Sequence, residues 1–181
     1  MSKELVIVFV KNIKLGKVKT RLAKTIGNQG AFDVYTELVS VTEKATLTLK
    51  ADKRIYFSES IVENQWSNHE KFVQEGIDLG ERMKNAFTKG FNDGYNRIVL
   101  IGSDLPDINS DHINKGLKAL KTNEAVFGPA EDGGYYLVGL SKSHLFVFNN
   151  KPWSETHLLE ETLNEIKEKQ VTFTTLDTLN D

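Results

Sequence analysis

Two segments of the chain are continuously apolar and rich in β-branched residues: Leu5 to Val10, and Ile98 to Ile101 within Arg97 to Gly102. Runs of this length without polar alternation predict strands covered on both faces. Elsewhere apolar positions recur at helical spacing. Phe32, Tyr35, Leu38, Val39, Ala45 and Leu49 predict a helix from about Gly30 to Leu49. Leu79, Met83, Ala86, Phe87 and Phe91 predict a second, ending near Gly94. Ile113, Leu117 and Leu120 mark a third, capped by Asn109 or Ser110. Leu158, Leu159, Leu163 and Ile166 mark a fourth, with Ser154 as its cap. Shorter strand-like segments lie at Arg54 to Phe57, Lys71 to Gln74, Ala125 to Phe127, Tyr135 to Leu140 and Val171 to Thr174.

Alternating strands and helices predict an α/β fold with a mostly parallel sheet. The two strands flanking Gly133-Gly134 are too close for a parallel crossover, so one of them is expected to run antiparallel. No repeat, low-complexity tract or linker interrupts the pattern. A length of 181 residues suits a single domain over 1–181.

Composition narrows the function classes. Hydrophobic residues make up 39% and charged residues 27%, which places the chain among globular proteins. A net charge of -2 gives no global attraction to nucleic acid or to an anionic membrane. The absence of cysteine removes thiolate metal sites and a cysteine nucleophile. No run reaches the length of a membrane span, and Leu5 to Val10 is too short for a signal-peptide core. The expected compartment is the cytoplasm. Oligomeric state is left open.

Charge is distributed unevenly. Between Leu5 and Phe32 there is no acidic residue, while Lys11, Lys14, Lys17, Lys19, Arg21 and Lys24 all fall there. This basic loop follows a central strand, where open α/β sheets bind ligands. Gly16 allows close backbone approach, and Lys19, Thr20, Arg21 and Lys24 offer donors to phosphate oxygens. Neither GxxxxGK[ST] nor GxGxxG is present, and a solvated charged loop is the competing reading.

The strand ending at Ile101 delivers Asp104, followed by Pro106 and Asp107. A carboxylate there suits Mg²⁺ or Mn²⁺ shared with phosphates, and a turn or helix cap is the alternative. In Gly128 to Tyr136, Asp132 stands beside the metal or an acceptor in the functional reading and in a hairpin turn in the other. Tyr135 and Tyr136 alternate faces, so at most one of them lines a site. Glu131 is a candidate second carboxylate. His69, His112, His144 and His157 have no metal-ligand spacing.

In order along the chain, FVKNIKLGKVKTRLAKTIG (Phe9 to Gly27), LGERM (Leu79 to Met83), GSDLPDI (Gly102 to Ile108), GPAEDGGYYLVGL (Gly128 to Leu140) and PWSETHLLEETL (Pro152 to Leu163) resemble one family. It is the glycosyltransferase-A-like DUF2064 family of the nucleotide-diphospho-sugar transferase superfamily. The resemblance implies a three-layer Rossmann-like sheet with a nucleotide over the first loop. It implies phosphate binding by Lys19 and Arg21, Mg²⁺ or Mn²⁺ on Asp104, and a site role for Asp132. Gly133, Gly134, Tyr135 and Trp153 become candidates for the acceptor side.

The chain departs from the family pattern at Ile13 and Leu15, where prolines are usual, and at Thr175, which replaces an aspartate near Asp177. The implied activity is metal-dependent transfer from a nucleotide-sugar donor to a small-molecule acceptor. A relative with a K-S-R-L loop is a guanylyltransferase, so nucleotidyl transfer with pyrophosphate release stands as the alternative. A nucleotide-binding module without turnover is the third.

Overall fold

The structure is a computed structural model and describes residues 3–180. In chain order the elements are β1 (Glu4–Val10), α1 (Thr20–Leu47), β2 (Asp52–Phe57), β3 (Glu70–Val73), α2 (Leu79–Asn92), β4 (Arg97–Ile101), α3 (Ser110–Ala119), β5 (Ala125–Pro129) and β6 (Tyr135–Leu140). A 3₁₀ turn (Leu145–Phe148), α4 (Leu158–Glu168) and β7 (Phe173–Thr175) complete the chain. The strands form a seven-stranded sheet in the order β3-β2-β1-β4-β6-β5-β7. β1 pairs in parallel with β2 and β4, β2 with β3, and β5 with β7. β6 is antiparallel to both β4 and β5. It is therefore the antiparallel strand expected from the Gly133-Gly134 turn.

Period-two alternation divides the core into two layers. Val6, Val8 and Val10 point to one face, where they meet Leu38 and Val39 of α1 and Ile113 and Leu117 of α3. Leu5, Ile7 and Phe9 point to the other, against Met83 and Phe87 of α2 and Ile166 of α4. A strand buried on both faces cannot alternate with polar residues, which is why β1 and β4 read as unbroken apolar runs. Three layers result: α1 and α3, the sheet, then α2 and α4. Among the described residues, no helix is long and apolar enough to cross a membrane.

Two expectations are corrected. The helix expected from about Gly30 is present, but a further helical stretch from Thr20 precedes it within α1, the two separated by a non-helical break at Gly27 (φ 79°, ψ 167°). The stretch TRLAKTI is composed largely of good helix formers, which its charge obscured. The fourth helix starts at Leu158, and Ser154 does not cap it; Ser154 has a left-handed φ of 67° and lies in the preceding turn. At the third helix the cap is Asn109, whose side chain accepts from the backbone N–H of Asp111 and His112. The His112 side chain accepts in turn from the Asn109 N–H at 3.3 Å.

Candidate functional site

Because β1, β2, β4 and β5 run in the same direction, the segments leaving their carboxyl ends all emerge on one edge of the sheet. The turn entering β6 joins them there, since β6 runs the other way. That edge thus gathers the basic loop 11–19, the segment 58–60, the segment 102–109 and the hairpin 130–134.

Polar side chains tie these segments together. Asn12 is buried, at 6% exposure, in a loop that also carries Lys11, Lys14, Lys17 and Lys19. Its Oδ1 accepts from the N–H of Glu59 at 2.9 Å, and its Nδ2 donates to the Ser60 carbonyl at 2.8 Å. The basic loop is thereby fastened to the segment after β2. Lys14 forms an ion pair with Glu59, and the Lys14 ammonium is the main cause holding the Glu59 carboxyl below its ordinary value. One positive charge of the loop is thus matched by a carboxylate 45 residues away.

Tyr35, on α1, makes the second tie. Its hydroxyl accepts from the Lys11 N–H at 3.0 Å and lies 2.8 Å from the Ser103 Oγ. It therefore joins the start of the basic loop to the residue before Asp104. Burial raises the Tyr35 phenol above its ordinary value, and the Asp104 charge adds to that rise. Asn12, Tyr35 and Ser103 were not among the candidates named from sequence. Tyr35 has the spacing of a core-facing aromatic, and its hydroxyl acquires a role only when distant segments meet.

Lys19 and Asp104 come together. The Lys19 Nζ is 3.6 Å from the Asp104 Oδ2 and 3.4 Å from the Asp104 carbonyl. Lys19 occupies the N-cap position of α1 with φ 45°, a left-handed conformation, and makes no side-chain cap. Gly16 also has a positive φ, of 74°. Thr20, Arg21 and Lys24 are exposed on the opening turns of α1, and Asp107 is exposed in the turn after Asp104.

The hairpin 130–134 is organised by Asp132, whose Oδ1 accepts from the Gly134 N–H at 2.9 Å. Asp132 and Glu131 are exposed. Gly133 has φ 91°, and a side chain there would overlap the Thr156 carbonyl. The Leu159 N–H donates to the Gly133 carbonyl at 3.1 Å, so the hairpin is docked on the segment around Trp153. That segment packs in turn on α2: a Cβ at Gly80 would lie 2.6 Å from the Trp153 ring and overlap the Phe148 carbonyl. Tyr135 and Tyr136 face opposite layers. Tyr135 packs edge-on against Phe127, while the Tyr136 hydroxyl donates to the Asp177 carbonyl at 3.0 Å. Burial raises both phenols, Tyr136 to about 12.

Among the described residues, no group of three or more His, Cys, Asp or Glu side chains is arranged to hold a metal. The carboxylates on this edge instead fit the habit of Mg²⁺ and Mn²⁺, which take one or two protein carboxylates and complete their shells with phosphate and water. The Asp104 side chain is 52% exposed, and the hydrogen bond on Asp132 leaves lone pairs available.

A larger cavity of about 540 Å³ opens at the other end of the sheet, between Lys3, Asp52, Arg54, Glu70 and Tyr95. Several of its polar groups are already engaged in ion pairs or hydrogen bonds. Arg54 pairs with Glu70 at 2.7 Å and Asp93 at 2.8 Å, and the Tyr95 hydroxyl donates to Asp52. The strand-end edge remains the stronger candidate.

The sequence profile of the family described as "uncharacterized protein conserved in bacteria (DUF2064)" matches residues 40–155. No curated protein matches the chain. A crystal structure from Desulfovibrio desulfuricans, provisionally described as a nucleotide-diphospho-sugar transferase, is 36% identical, with a TM-score of 0.93 over 100% of this chain and 82% of the other. CMP:2-keto-3-deoxy-manno-octonic acid synthetase in complex with CTP shares the fold at 9% identity and a TM-score of 0.60, covering 99% of this chain and 91% of that one. A Mycobacterium tuberculosis protein in complex with manganese also shares it, at 10% identity and a TM-score of 0.56, covering 99% and 90%. With a profile match over most of its length and a 36% identical relative aligned along all of it, this chain belongs to the DUF2064 family.

Proposed function

We propose that this protein is a transferase that uses a nucleotide, holding its phosphates between the basic loop and the segment carrying Asp104. The observation that carries the reading is the meeting of Lys19 and Asp104 at the carboxyl edge of the sheet, with Nζ 3.6 Å from Oδ2. An ammonium and a carboxylate this close, both reachable from solvent, present opposite charges to one small volume. Lys19, with Arg21 and Lys24 nearby on α1, would bind phosphate oxygens directly. Thr20 would add a hydroxyl, and Gly16 would let the loop backbone approach.

Asp104, with Asp132 as a second ligand, would hold Mg²⁺ or Mn²⁺. When bound, the cation would neutralise charge on the departing phosphate. The buried ties through Asn12, Tyr35 and Ser103 keep the loop in place before substrate arrives, so less ordering remains to be done on binding. The description of the Desulfovibrio desulfuricans relative supports a nucleotide-sugar donor. In that reaction the bond from the sugar's anomeric carbon to the phosphate oxygen breaks. The acceptor, held near Asp132, forms a new bond to that carbon and loses its proton, and nucleoside diphosphate leaves.

Nucleotidyl transfer is the second reading, favoured by the CTP-bound synthetase of the same fold. There an acceptor oxygen attacks the α-phosphorus of a nucleoside triphosphate and pyrophosphate leaves. Incubation with labelled nucleotide sugars and nucleoside triphosphates, with Mg²⁺ or Mn²⁺ and a pool of small acceptors, separates the two. Release of nucleoside diphosphate supports sugar transfer, and pyrophosphate with a nucleotidylated product supports the second reading. Nucleotide binding without either product would mark a module without turnover.

A further inference from the structure

Asp104 already holds a cation of the chain's own. The Lys19 Nζ lies 3.6 Å from the Asp104 Oδ2 and 3.4 Å from the carbonyl oxygen of the same residue. A carboxylate oxygen and a carbonyl oxygen are the hard donors that divalent cations take. The ammonium therefore stands among the ligands that such a cation would use. It stands there loosely, since both distances exceed the roughly 2.7–2.9 Å of a close charge-assisted hydrogen bond.

The backbone fixes both ends of this contact. Val18, just before Lys19, is buried in the core, and the Ala23 N–H donates to the Lys19 carbonyl at 2.9 Å. Between these anchors Lys19 takes its left-handed φ of 45°, which a residue with a side chain adopts against steric resistance. Asp104 sits between Ser103 and Leu105, both buried. A Cβ on Gly102 would lie 3.2 Å from the Asp104 Oδ1, so that oxygen lies back over Gly102 while Oδ2 is turned to Lys19. With both backbones held, the contact opens by rotation of the flexible lysine stem alone. No movement of either loop is needed.

We propose that Lys19 is an exchangeable ligand of Asp104: it occupies the carboxylate until a divalent cation takes it, and the released ammonium turns to the phosphate. The inference rests on the transferase reading above, which gives Lys19 to phosphate and Asp104 to the cation. That reading leaves the two side chains in contact with each other when neither ligand is bound, so each ligand has to displace a partner. Cation and phosphate then assist one another. The cation removes the competitor of the phosphate, and the phosphate removes the competitor of the cation, which is a reciprocal coupling. The contact is worth little, as for other exposed pairs, so the exchange is easily made.

The test measures each ligand alone on the full chain: Mn²⁺ by electron paramagnetic resonance, and inorganic pyrophosphate by calorimetry without metal. Lys19→Met keeps the apolar stem, and Lys19→Gly suits the left-handed φ, so a folded variant without the ammonium is in hand. Both should bind Mn²⁺ about two- to fivefold tighter than the wild type, the amount an exposed pair withholds. Asp104→Asn frees Lys19 and should tighten pyrophosphate by a similar factor, while Lys19→Met weakens it. Lys17→Met and Asp107→Asn remove the same charges from exposed neighbouring positions and should shift either affinity far less. Mn²⁺ affinity that is unchanged, weakened or undetectable in both Lys19 variants would overturn the exchange, as would a control that matches its partner variant. If Mn²⁺ binding is lost in Asp104→Asn but not tightened in the Lys19 variants, the exchange alone falls. If Asp104→Asn keeps the wild-type affinity for Mn²⁺, the cation reading of Asp104 falls and the exchange with it.

Discussion

Replacing Tyr35 with Phe removes one oxygen and preserves the ring packed at 3% exposure between α1 and the sheet. Two hydrogen bonds go with it, from the Lys11 N–H at 3.0 Å and with the Ser103 Oγ at 2.8 Å. Ser103 is 3% exposed, so its hydroxyl has little access to water, while Lys11 lies at the surface and its amide can be partly rehydrated. At about 1 kcal/mol for each lost bond, the expected destabilisation is roughly 2 kcal/mol. For a chain of this size that corresponds to a fall in Tm of roughly 4–8 °C. Urea unfolding of wild type, Tyr35→Phe, Ser103→Ala and the double variant measures both the loss and the coupling. The pair should couple by roughly 0.5–1.5 kcal/mol, because each substitution destroys the same bond. Nucleotide affinity should also fall in Tyr35→Phe, since the basic loop loses its anchor. A stability within about 0.5 kcal/mol of wild type, or strict additivity with Ser103→Ala, would refute the claim that this hydroxyl ties the two loops.

Asn109→Ala removes the side chain that accepts from two N–H groups at the start of α3, and should cost about 0.5–2 kcal/mol in urea unfolding. Gly80→Ala places a methyl against the Phe148 carbonyl and the Trp153 ring, neither of which can yield without moving its segment. A loss of about 1–3 kcal/mol and a shifted Trp153 emission are expected, and an unchanged spectrum would contradict the packing. Burial pushes the Tyr56 phenol up to about 12, and burial assisted by Asp52 does the same for Tyr95. Their folded values lie above the unfolded value of 10.0, so the stability they contribute is whole below that pH and is lost as pH rises through 12. The urea midpoint should therefore fall across this alkaline window, and less steeply in Tyr56→Phe than in the wild type.

Much of the sheet was legible because burial on both faces leaves a direct mark. Val6 through Val10 and Ile98 through Ile101 could not be half-exposed strands, and Gly133-Gly134 left too little chain for a parallel return. The third helix announced its cap to within one residue, Asn109 or Ser110, since that signal is local. The opening turns of α1 were hidden because Lys19, Arg21 and Lys24 read as a charged loop, and helix formation there depends on backbone propensity rather than an apolar stripe. Ser154 misled for the opposite reason. It is a good capping residue by type, but the Trp153 segment bends through a left-handed conformation before α4 starts.

At the candidate site the chemistry-bearing residues were visible as types, and their meeting was not. Lys19 and Asp104 are 85 residues apart, and only the parallel pairing of β1 with β4 brings them to one edge. The supporting residues were less legible still. Asn12 looks like one more polar loop residue and Tyr35 like one more core aromatic until the segments around Ser60 and Ser103 are folded against them.

The central claim is that nucleotide phosphate is held jointly by the basic loop and a cation on Asp104. Calorimetric titration of a nucleoside diphosphate, with and without Mg²⁺, into wild type and Asp104→Asn tests it most directly. Asp104→Asn keeps the shape of the side chain and removes its charge. The wild type should bind at least about tenfold tighter with Mg²⁺ than without, a difference of about 1.4 kcal/mol, and Asp104→Asn should lose that gain. A Mg²⁺ enhancement that survives intact in Asp104→Asn, or is absent from the wild type, would contradict the account.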